Sequence, residues 1–345
     1  MARRALVTGG SGYLGCEVVR GLRERGYAVR VMDLVDVDDR APDVEYMEGD
    51  IRDGGAVMRA CDGMDVVHHN VAQVPLAKDR HLFWSVNVDG TRKLLEAAQK
   101  SRVGKVVLVS SSAVFGVPAK NPVDATVEPA PREAYGRAKL EGERVAAEYV
   151  ARGLDVTIIR PRTVLGHGRL GIFQILFEWV RRGRPIYVLG RGDNRYQFVH
   201  ADDLVDACIR AGELPGPEVF NIGADRFGTM RELLEALVAH AGTGSPVRSV
   251  PKTPTVWAME LTSALRLSPL GAYHSLMYGR EMFFDLAHAK HKLVGWQPKK
   301  SNAEMICESY DYYVAHREEI MARTNASHHR SPVKQGILKI FEYLP

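Results

Sequence analysis

Residues 5–15 read ALVTGGSGYLG, a short apolar strand that runs directly into a glycine cluster opening a helix. Gly10, Gly12 and Gly15 fit the spacing G-x-G-x-x-G, and Gly9, Gly12 and Gly15 fit the wider G-x-x-G-x-x-G. Residues without side chains let the backbone turn tightly and approach a pyrophosphate, whose charge meets the free N–H groups and positive dipole of the next helix. Gly9, Gly12, Tyr13, Leu14 and Gly15 are the expected phosphate-binding residues. The spacing alone is a weak signal, and its context strengthens it. CEVVRGLRERG continues as an amphipathic helix, and YAVRVMD supplies a second strand ending at Asp33, about 20 residues beyond the glycines. A carboxylate there accepts hydrogen bonds from the adenosine ribose and repels a 2′-phosphate. Leu34 and Val35 follow with no adjacent arginine, Arg40 lying further on, so NAD(H) is favoured over NADP(H).

Outward from this unit, strands alternate with helical patterns. VEYMEGD, DVVHHNVA, KVVLVSSS and DVTIIRP read as strands, while RDGGAVMRAC, NVDGTRKLLEAAQ and YGRAKLEGERVAAEYVARG read as helices. That rhythm implies an α/β protein, a Rossmann doubly wound parallel sheet with both faces covered. After Pro161 the pattern loosens, as expected of a smaller C-terminal α/β lobe closing over a cleft. The expected division is an NAD-binding domain over residues 1–165, with segments such as 196–222 returning to it. A substrate lobe is expected over 166–324 and an amphipathic tail over 325–345.

The 345 residues are 46% hydrophobic and 26% charged, ordinary values for a soluble globular chain with an ample core. A net charge of +4 without an aromatic-studded basic stripe gives no reason to expect nucleic-acid binding. Cys16, Cys61, Cys208 and Cys307 form no C-x-x-C pair, which fits reduced thiols better than disulfides or zinc. The first strand begins by Ala5, leaving no room for a signal peptide, and no apolar run reaches the length of about 18 residues needed for a span. A cytoplasmic homodimer is expected.

Tyr135 and Lys139, in YGRAK, are four residues apart and share one helix face. An ammonium there can stabilise a tyrosinate, making the phenol a usable general acid/base at a carbinol or carbonyl oxygen. Upstream, KVVLVSSSAVFG ends in Ser110, Ser111 and Ser112 at the carboxyl edge of the sheet, where a serine hydroxyl can bond the same oxygen.

Taken together, TGGSGYLG, GDIRD, DVVHHNVA, NVDGT, VSSSAVFG, YGRAK, IIRP, FVHADDLVDA, FNIGA and KLVGWQPK resemble the extended short-chain dehydrogenase/reductase family. That family includes nucleotide-sugar epimerases and dehydratases and 3β-hydroxysteroid dehydrogenases, and the resemblance runs from about Arg4 to His316. It implies that the catalytic serine lies five positions before the closing glycine of S-x-x-V-Y/F-G, which selects Ser111, with Ser112 in reserve. It further implies Asp50 and Ile51 flanking adenine, Val71 and Ala72 beside the cofactor, and Pro161 and Thr163 near the nicotinamide. Asn87 would support helix geometry near the site. The resemblance implies an Asp-Glu pair after the catalytic hydroxyl in 4,6-dehydratases. Ser112 and Ala113 stand there instead, which argues against that reaction.

Residues 251–284, PKTPTVWAMELTSALRLSPLGAYHSLMYGREMFF, are rich in large apolar side chains and poor in cations able to clamp a diphosphate. They favour the branch acting on lipophilic substrates, similar to 3β-hydroxysteroid dehydrogenases and bacterial reductases of long-chain β-keto lipids; these residues can equally be core. Arg162, Arg169, Arg191 and Arg195 sustain the alternative of a UDP-hexose 4-epimerase. A third reading, a non-catalytic NAD sensor, is disfavoured by the intact Ser111, Tyr135 and Lys139. His68 and His69 read as packed strand residues, and His200, Asp202 and Asp203 as a helix cap. His288 and His291 lack a third ligand, so no metal is expected. In the tail, Ile337, Leu338, Ile340, Phe341 and Leu344 fall near one helical face behind His328, His329, Arg330 and Lys334. That pattern suits peripheral membrane contact or packing on protein.

Overall fold

The computed structural model describes residues 2–74, 80–169, 171–265 and 276–322. Its strands are β1 (Arg4–Thr8), β2 (Ala28–Asp33), β3 (Glu45–Glu48), β4 (Val66–His69), β5 (Lys105–Val109), β6 (Val156–Pro161), β7 (Thr163–Leu165), β8 (Ile186–Leu189), β9 (Phe198–His200), β10 (Val219–Ile222) and β11 (Val247–Val250). Seven of them form one sheet in the order β10-β6-β5-β4-β1-β2-β3, every pair parallel. The chain therefore folds as a doubly wound α/β protein. Between β1 and β4 the winding reverses, and that switch point opens a crevice at the carboxyl ends of the strands.

The sheet is buried on both sides because its strands are apolar on both. On one face Leu6, Val67, Val106 and Leu108 pack with α2 (Gly54–Cys61), α4 (Thr91–Lys100) and α5 (Ala134–Val150), a short α3 (Arg80–Trp84) preceding α4. On the other, Ala5, Val7, Val29 and Val31 meet Val18 and Leu22 of α1 (Tyr13–Glu24), and Val205 and Ile209 from the helix Ala201–Glu213. Alternate residues of β1 thus serve opposite cores, as period-two strand geometry dictates. His68 and His69 are both 1% exposed within β4, packed as expected.

A second group of elements is built from two-stranded parallel pairs, β7 with β9 and β8 with β11. They share a core with α6 (Phe173–Arg181), Leu233, Leu234 and Leu237, and Met305, Ile306, Tyr310 and Tyr313 from the helix Asn302–Ala315. The apolar segment 251–284 divides. Met277, Met282 and Phe284 are core, whereas Trp257 and Leu261 of the helix Lys252–Ala264, with Leu265 just beyond it, are exposed. Among the described residues no helix is long and apolar enough to cross a membrane. The tail 325–345 lies outside the described residues.

Candidate active site

The glycine turn is built by close backbone approach. Gly9 adopts φ +73°, and a Cβ on Gly15 would lie 2.0 Å from the Gly9 carbonyl oxygen, so α1 sits directly on the turn and position 15 tolerates no side chain. A Cβ on Gly9 would come 2.8 Å from the Val71 amide, which brings the β1 turn against the segment leaving β4. No side chain caps the start of α1 and no acidic residue occupies its first turn, leaving the anion-favouring end of the helix to a ligand.

Asp33, at the end of β2, accepts the Ser11 amide at 3.0 Å and the Leu34 amide at 2.7 Å, so it braces the turn as well as facing the crevice. Arg40 is held by Asp36, with Nε 2.8 Å from Oδ1, and by the Val44 carbonyl. Asp50 is paired with Arg52, while Ile51 is buried against Gly90. Val71 and Ala72 are half-buried, and Asn87 pins the same stretch by accepting the Gln73 amide at 2.8 Å and donating to its carbonyl at 3.1 Å. Asn87 belongs to a π-helical turn, Ser85–Gly90, a departure from α geometry of the kind often found beside functional sites. Ser11 Oγ, the Tyr13 hydroxyl, Asn70 Oδ1 and Arg169 Nη1 are buried without hydrogen-bond partners. Such atoms cost about 1–3 kcal/mol each when left dry. A polar ligand in the crevice suits this set, and a dinucleotide fits the glycine cradle.

The three consecutive serines have different fates. Ser110 donates to the Glu143 carboxylate, Ser112 accepts from Arg162 Nη1 at 2.9 Å, and Ser111 Oγ accepts the Ala113 amide at 3.2 Å beside the Tyr135 phenol. The structure thus brings Ser111 and Tyr135 together and turns Ser112 away. Tyr135 lies in the first turn of α5, whose N-terminus is capped by Glu133 accepting the amides of Tyr135 and Gly136. Phe83 meets the Tyr135 ring edge-on, with centroids 6.1 Å apart. Lys139 is 7% exposed and donates to the Val109 carbonyl at 2.9 Å rather than to the phenol. Pro161 is buried, and Thr163 Oγ1 is 3.2 Å from the Tyr196 hydroxyl.

Burial pushes the Tyr135 phenol up to about 12, opposed by the nearby Ser111 hydroxyl and by the charge of Arg169. Burial likewise lowers Lys139 to about 8, opposed by Glu143. Arg169 is a candidate site residue that sequence spacing did not single out from the other three arginines. It lies over the Tyr13 ring, 5.5 Å from the centroid, and interacts with both Tyr13 and Tyr135. The other three arginines are engaged elsewhere: Arg162 with Ser112 and the Gln197 carbonyl, Arg191 with Asp193, and Arg195 over the rings of Phe227 and Phe283. His200 caps the helix Ala201–Glu213, accepting the Asp202 amide at 3.2 Å, with Asp202 and Asp203 in the first turn. His288 pairs with Glu218.

A cofactor cradle at the switch point, with a tyrosine and a serine converging beside it, defines an oxidoreductase of the Rossmann class. The family model described as "NAD dependent epimerase/dehydratase family" matches residues 5–223, and the chain belongs to that family. NAD(H) is accordingly its cofactor. The uncharacterized protein y4nG of Sinorhizobium fredii (strain NBRC 101917 / NGR234) is 52% identical over 344 residues, 99% of this chain and 86% of its own length. A 3 beta-hydroxysteroid dehydrogenase/Delta 5-->4-isomerase of Mycobacterium tuberculosis (strain CDC 1551 / Oshkosh) is 28% identical over 359 residues, covering 96% of each chain. Among solved structures, UDP-glucose 4-epimerase from Thermotoga maritima, with UDP-glucose, is similar with a TM-score of 0.75 and 27% identity, covering 91% of this chain and 99% of that one.

Proposed function

We propose that the chain is an NAD(H)-dependent reductase or dehydrogenase interconverting a ketone and a secondary alcohol on a hydrophobic, lipid-like substrate. The observation that carries the chemistry is the buried Tyr135 phenol at the carboxyl edge of the sheet, with Ser111 and the charge of Arg169 beside it favouring its ionisation. Bound nicotinamide supplies, or accepts, the hydride at the carbon bearing the reacting oxygen. Tyr135 keeps its proton through neutral pH and donates it to that oxygen as negative charge develops, while Ser111 donates a second hydrogen bond to it. In the oxidative direction the phenol must release its proton, which Arg169 and Ser111 favour and burial opposes. Lys139 holds the end of β5 against α5, keeping the serine and tyrosine in register.

The substrate reading rests on the far lobe, of which residues 166–324 supply most. Trp257 and Leu261 on one face of the helix Lys252–Ala264, with Leu265 just beyond its end, are 71%, 62% and 59% exposed at four-residue intervals, an apolar stripe. All four candidate phosphate-binding arginines have partners, Arg169 donating from Nε to the Val164 carbonyl at 3.4 Å, and they are held by separate groups rather than as one diphosphate clamp. The alternative, a UDP-hexose 4-epimerase, draws support from the unpartnered buried atoms Arg162 Nη2 and Arg169 Nη1, which phosphate oxygens would satisfy, and from the likeness to the Thermotoga maritima enzyme. Incubating the protein with NADH and a panel of β-keto lipids and UDP-hexoses separates the two. Net NADH consumption with a keto lipid is the expected result. Epimerised hexose with no net change in NADH would overturn the reductase reading.

Asp33→Ala is expected to shift the preference between NAD(H) and NADP(H) toward the phosphorylated form. The loss of a charged hydrogen-bond partner, typically worth about 1.5–3 kcal/mol, corresponds to roughly tenfold or more in relative affinity. Fluorescence titration with NADH and NADPH measures it, and a wild type that already prefers NADPH contradicts the assignment of Asp33.

A further inference from the structure

We propose that His167, His200 and Glu308 form a metal site, best suited to zinc, that ties the loop after β7 to the helix Asn302–Ala315. The three residues come from separate segments: the β7 loop, the junction of β9 with the helix Ala201–Glu213, and the helix Asn302–Ala315. One ring nitrogen from each histidine and one carboxylate oxygen all lie within 4.8 Å of one another. Glu308 Oε2 is 3.7 Å from His200 Nε2, Glu308 Oε1 contacts His167 Nε2, and the two imidazoles meet edge-on with centroids 6.0 Å apart. Zinc holds nitrogen and oxygen ligands at about 2.0–2.2 Å, so tetrahedral donors sit roughly 3.3–3.5 Å from one another. Side-chain adjustment of about an ångström completes that geometry.

The second observation is an orphaned atom. His200 is 1% exposed, yet its Nε2, which faces Glu308, has no hydrogen-bond partner. Its Nδ1 accepts the Asp202 amide and also stands 3.7 Å from Asp202 Oδ2. Coordination through Nε2 puts the ring proton on Nδ1, so the bond from the Asp202 amide is given up and Nδ1 donates instead to the Asp202 carboxylate, the outer-shell arrangement that commonly orients a ligating histidine. Two imidazoles and one carboxylate select zinc or a similar borderline cation over magnesium or calcium, which prefer oxygen alone. Three protein ligands leave a fourth position for water, and a cavity of about 480 Å³ lined in part by His167, Cys307, Glu308 and Asp311 lies beside them. Lys300 competes: its ammonium pairs with Glu308 Oε2, a contact that must yield when the carboxylate binds a metal.

The site connects to the crevice through one loop. Gly166 already exchanges hydrogen bonds with Ser309 of the helix Asn302–Ala315, donating its amide and accepting at its carbonyl, both at 3.2 Å. A metal at His167 adds a second tie one residue along the loop and two before Arg169, steadying the arginine that interacts with Tyr135. The cluster stands on its own geometry, so failure of the proposed reaction leaves it intact, and the reverse.

Full-length, tag-free protein, stripped with a chelator and dialysed, is titrated with Co²⁺ and then Zn²⁺. One equivalent of Co²⁺ is expected to give ligand-field bands of nitrogen and oxygen coordination, which Zn²⁺ displaces. His167→Ala and the isosteric Glu308→Gln should each weaken Zn²⁺ binding at least roughly tenfold. NADH binding and the thermal midpoint report whether each variant is folded, and Glu308→Gln decides the matter if His167→Ala is not. Folded wild type without stoichiometric Co²⁺ bands, or unchanged Zn²⁺ affinity in folded Glu308→Gln, overturns the proposal.

Discussion

Tyr135→Phe is expected to lower kcat by about 10²–10⁴-fold, the range that a positioned general acid contributes. NAD(H) affinity should be nearly unchanged. The expectation follows from burial: the Tyr135 ring is 8% exposed and packed against Phe83, so phenylalanine keeps the shape of the site and deletes one hydroxyl. What disappears is the proton donor that stands beside Ser111. Ser111 can turn to the Ala113 amide, with which it already makes a 3.2 Å hydrogen bond, so the strand end has a local anchor that survives the change. Steady-state turnover of a keto substrate, beside NADH fluorescence titration, separates the two effects. A fully active variant removes Tyr135 from the chemistry. Lost NADH binding would mean that the hydroxyl holds the cofactor instead.

The parts of the site that sequence made legible are those whose signal is local. The glycine turn, the strand on either side of α1, and Asp33 at the end of β2 are close in the chain, and backbone sterics alone demand the glycines. Tyr135 and Lys139 share a helix face by periodicity, but periodicity does not say where the ammonium ends; the Val109 carbonyl takes it. The serine run shows the same limit. Ser110, Ser111 and Ser112 look alike in sequence and are told apart only by neighbours from α5 and β6 to β7, namely Glu143, Tyr135 and Arg162.

Arg169 was named among four candidate arginines but could not be told from the other three, and the His167, His200 and Glu308 cluster was not legible, because each depends on the pairing of β7 with β9 and on the docking of a helix far along the chain. His200 reads correctly as a cap from FVHADD, and that reading accounts for one ring nitrogen while saying nothing of the other. Composition was equally blind within 251–284. A run rich in methionine and aromatics has no pattern that separates Met282 and Phe284, which are core, from Trp257 and Leu261, which are exposed. The distinction is made by which strands the run later crosses.

Acidification from pH 7 to pH 5 is expected to cost about 4 kcal/mol of folding stability through His68 and His69. Both side chains are 1% exposed, and burial, aided by Arg3 at His68 and by Lys139 at His69, lowers each to about 3. In the unfolded chain they titrate near the ordinary value of about 6.5. The native state therefore binds fewer protons than the unfolded state between these values, so stability is full above about 6.5 and falls as pH drops toward 3. At pH 5 each histidine lies about 1.5 pH units below its unfolded value, or about 2 kcal/mol. The neutral form of His69 is fixed by its neighbours. Thr91 Oγ1 donates to the Asn87 carbonyl, so it accepts from His69 Nε2 at 3.2 Å, leaving Nδ1 to accept from Thr8 Oγ1 at 2.7 Å. His68 Nδ1 has no partner, which makes His68→Leu the cleaner substitution. Chemical denaturation at the two pH values should show the pH-dependent loss reduced by about 2 kcal/mol in His68→Leu, whatever the change in absolute stability. Burial also lowers His200 and adds loss of the same sign, but it does so equally in wild type and variant. An undiminished pH dependence in His68→Leu would mean that His68 is already solvated or protonated in the native protein.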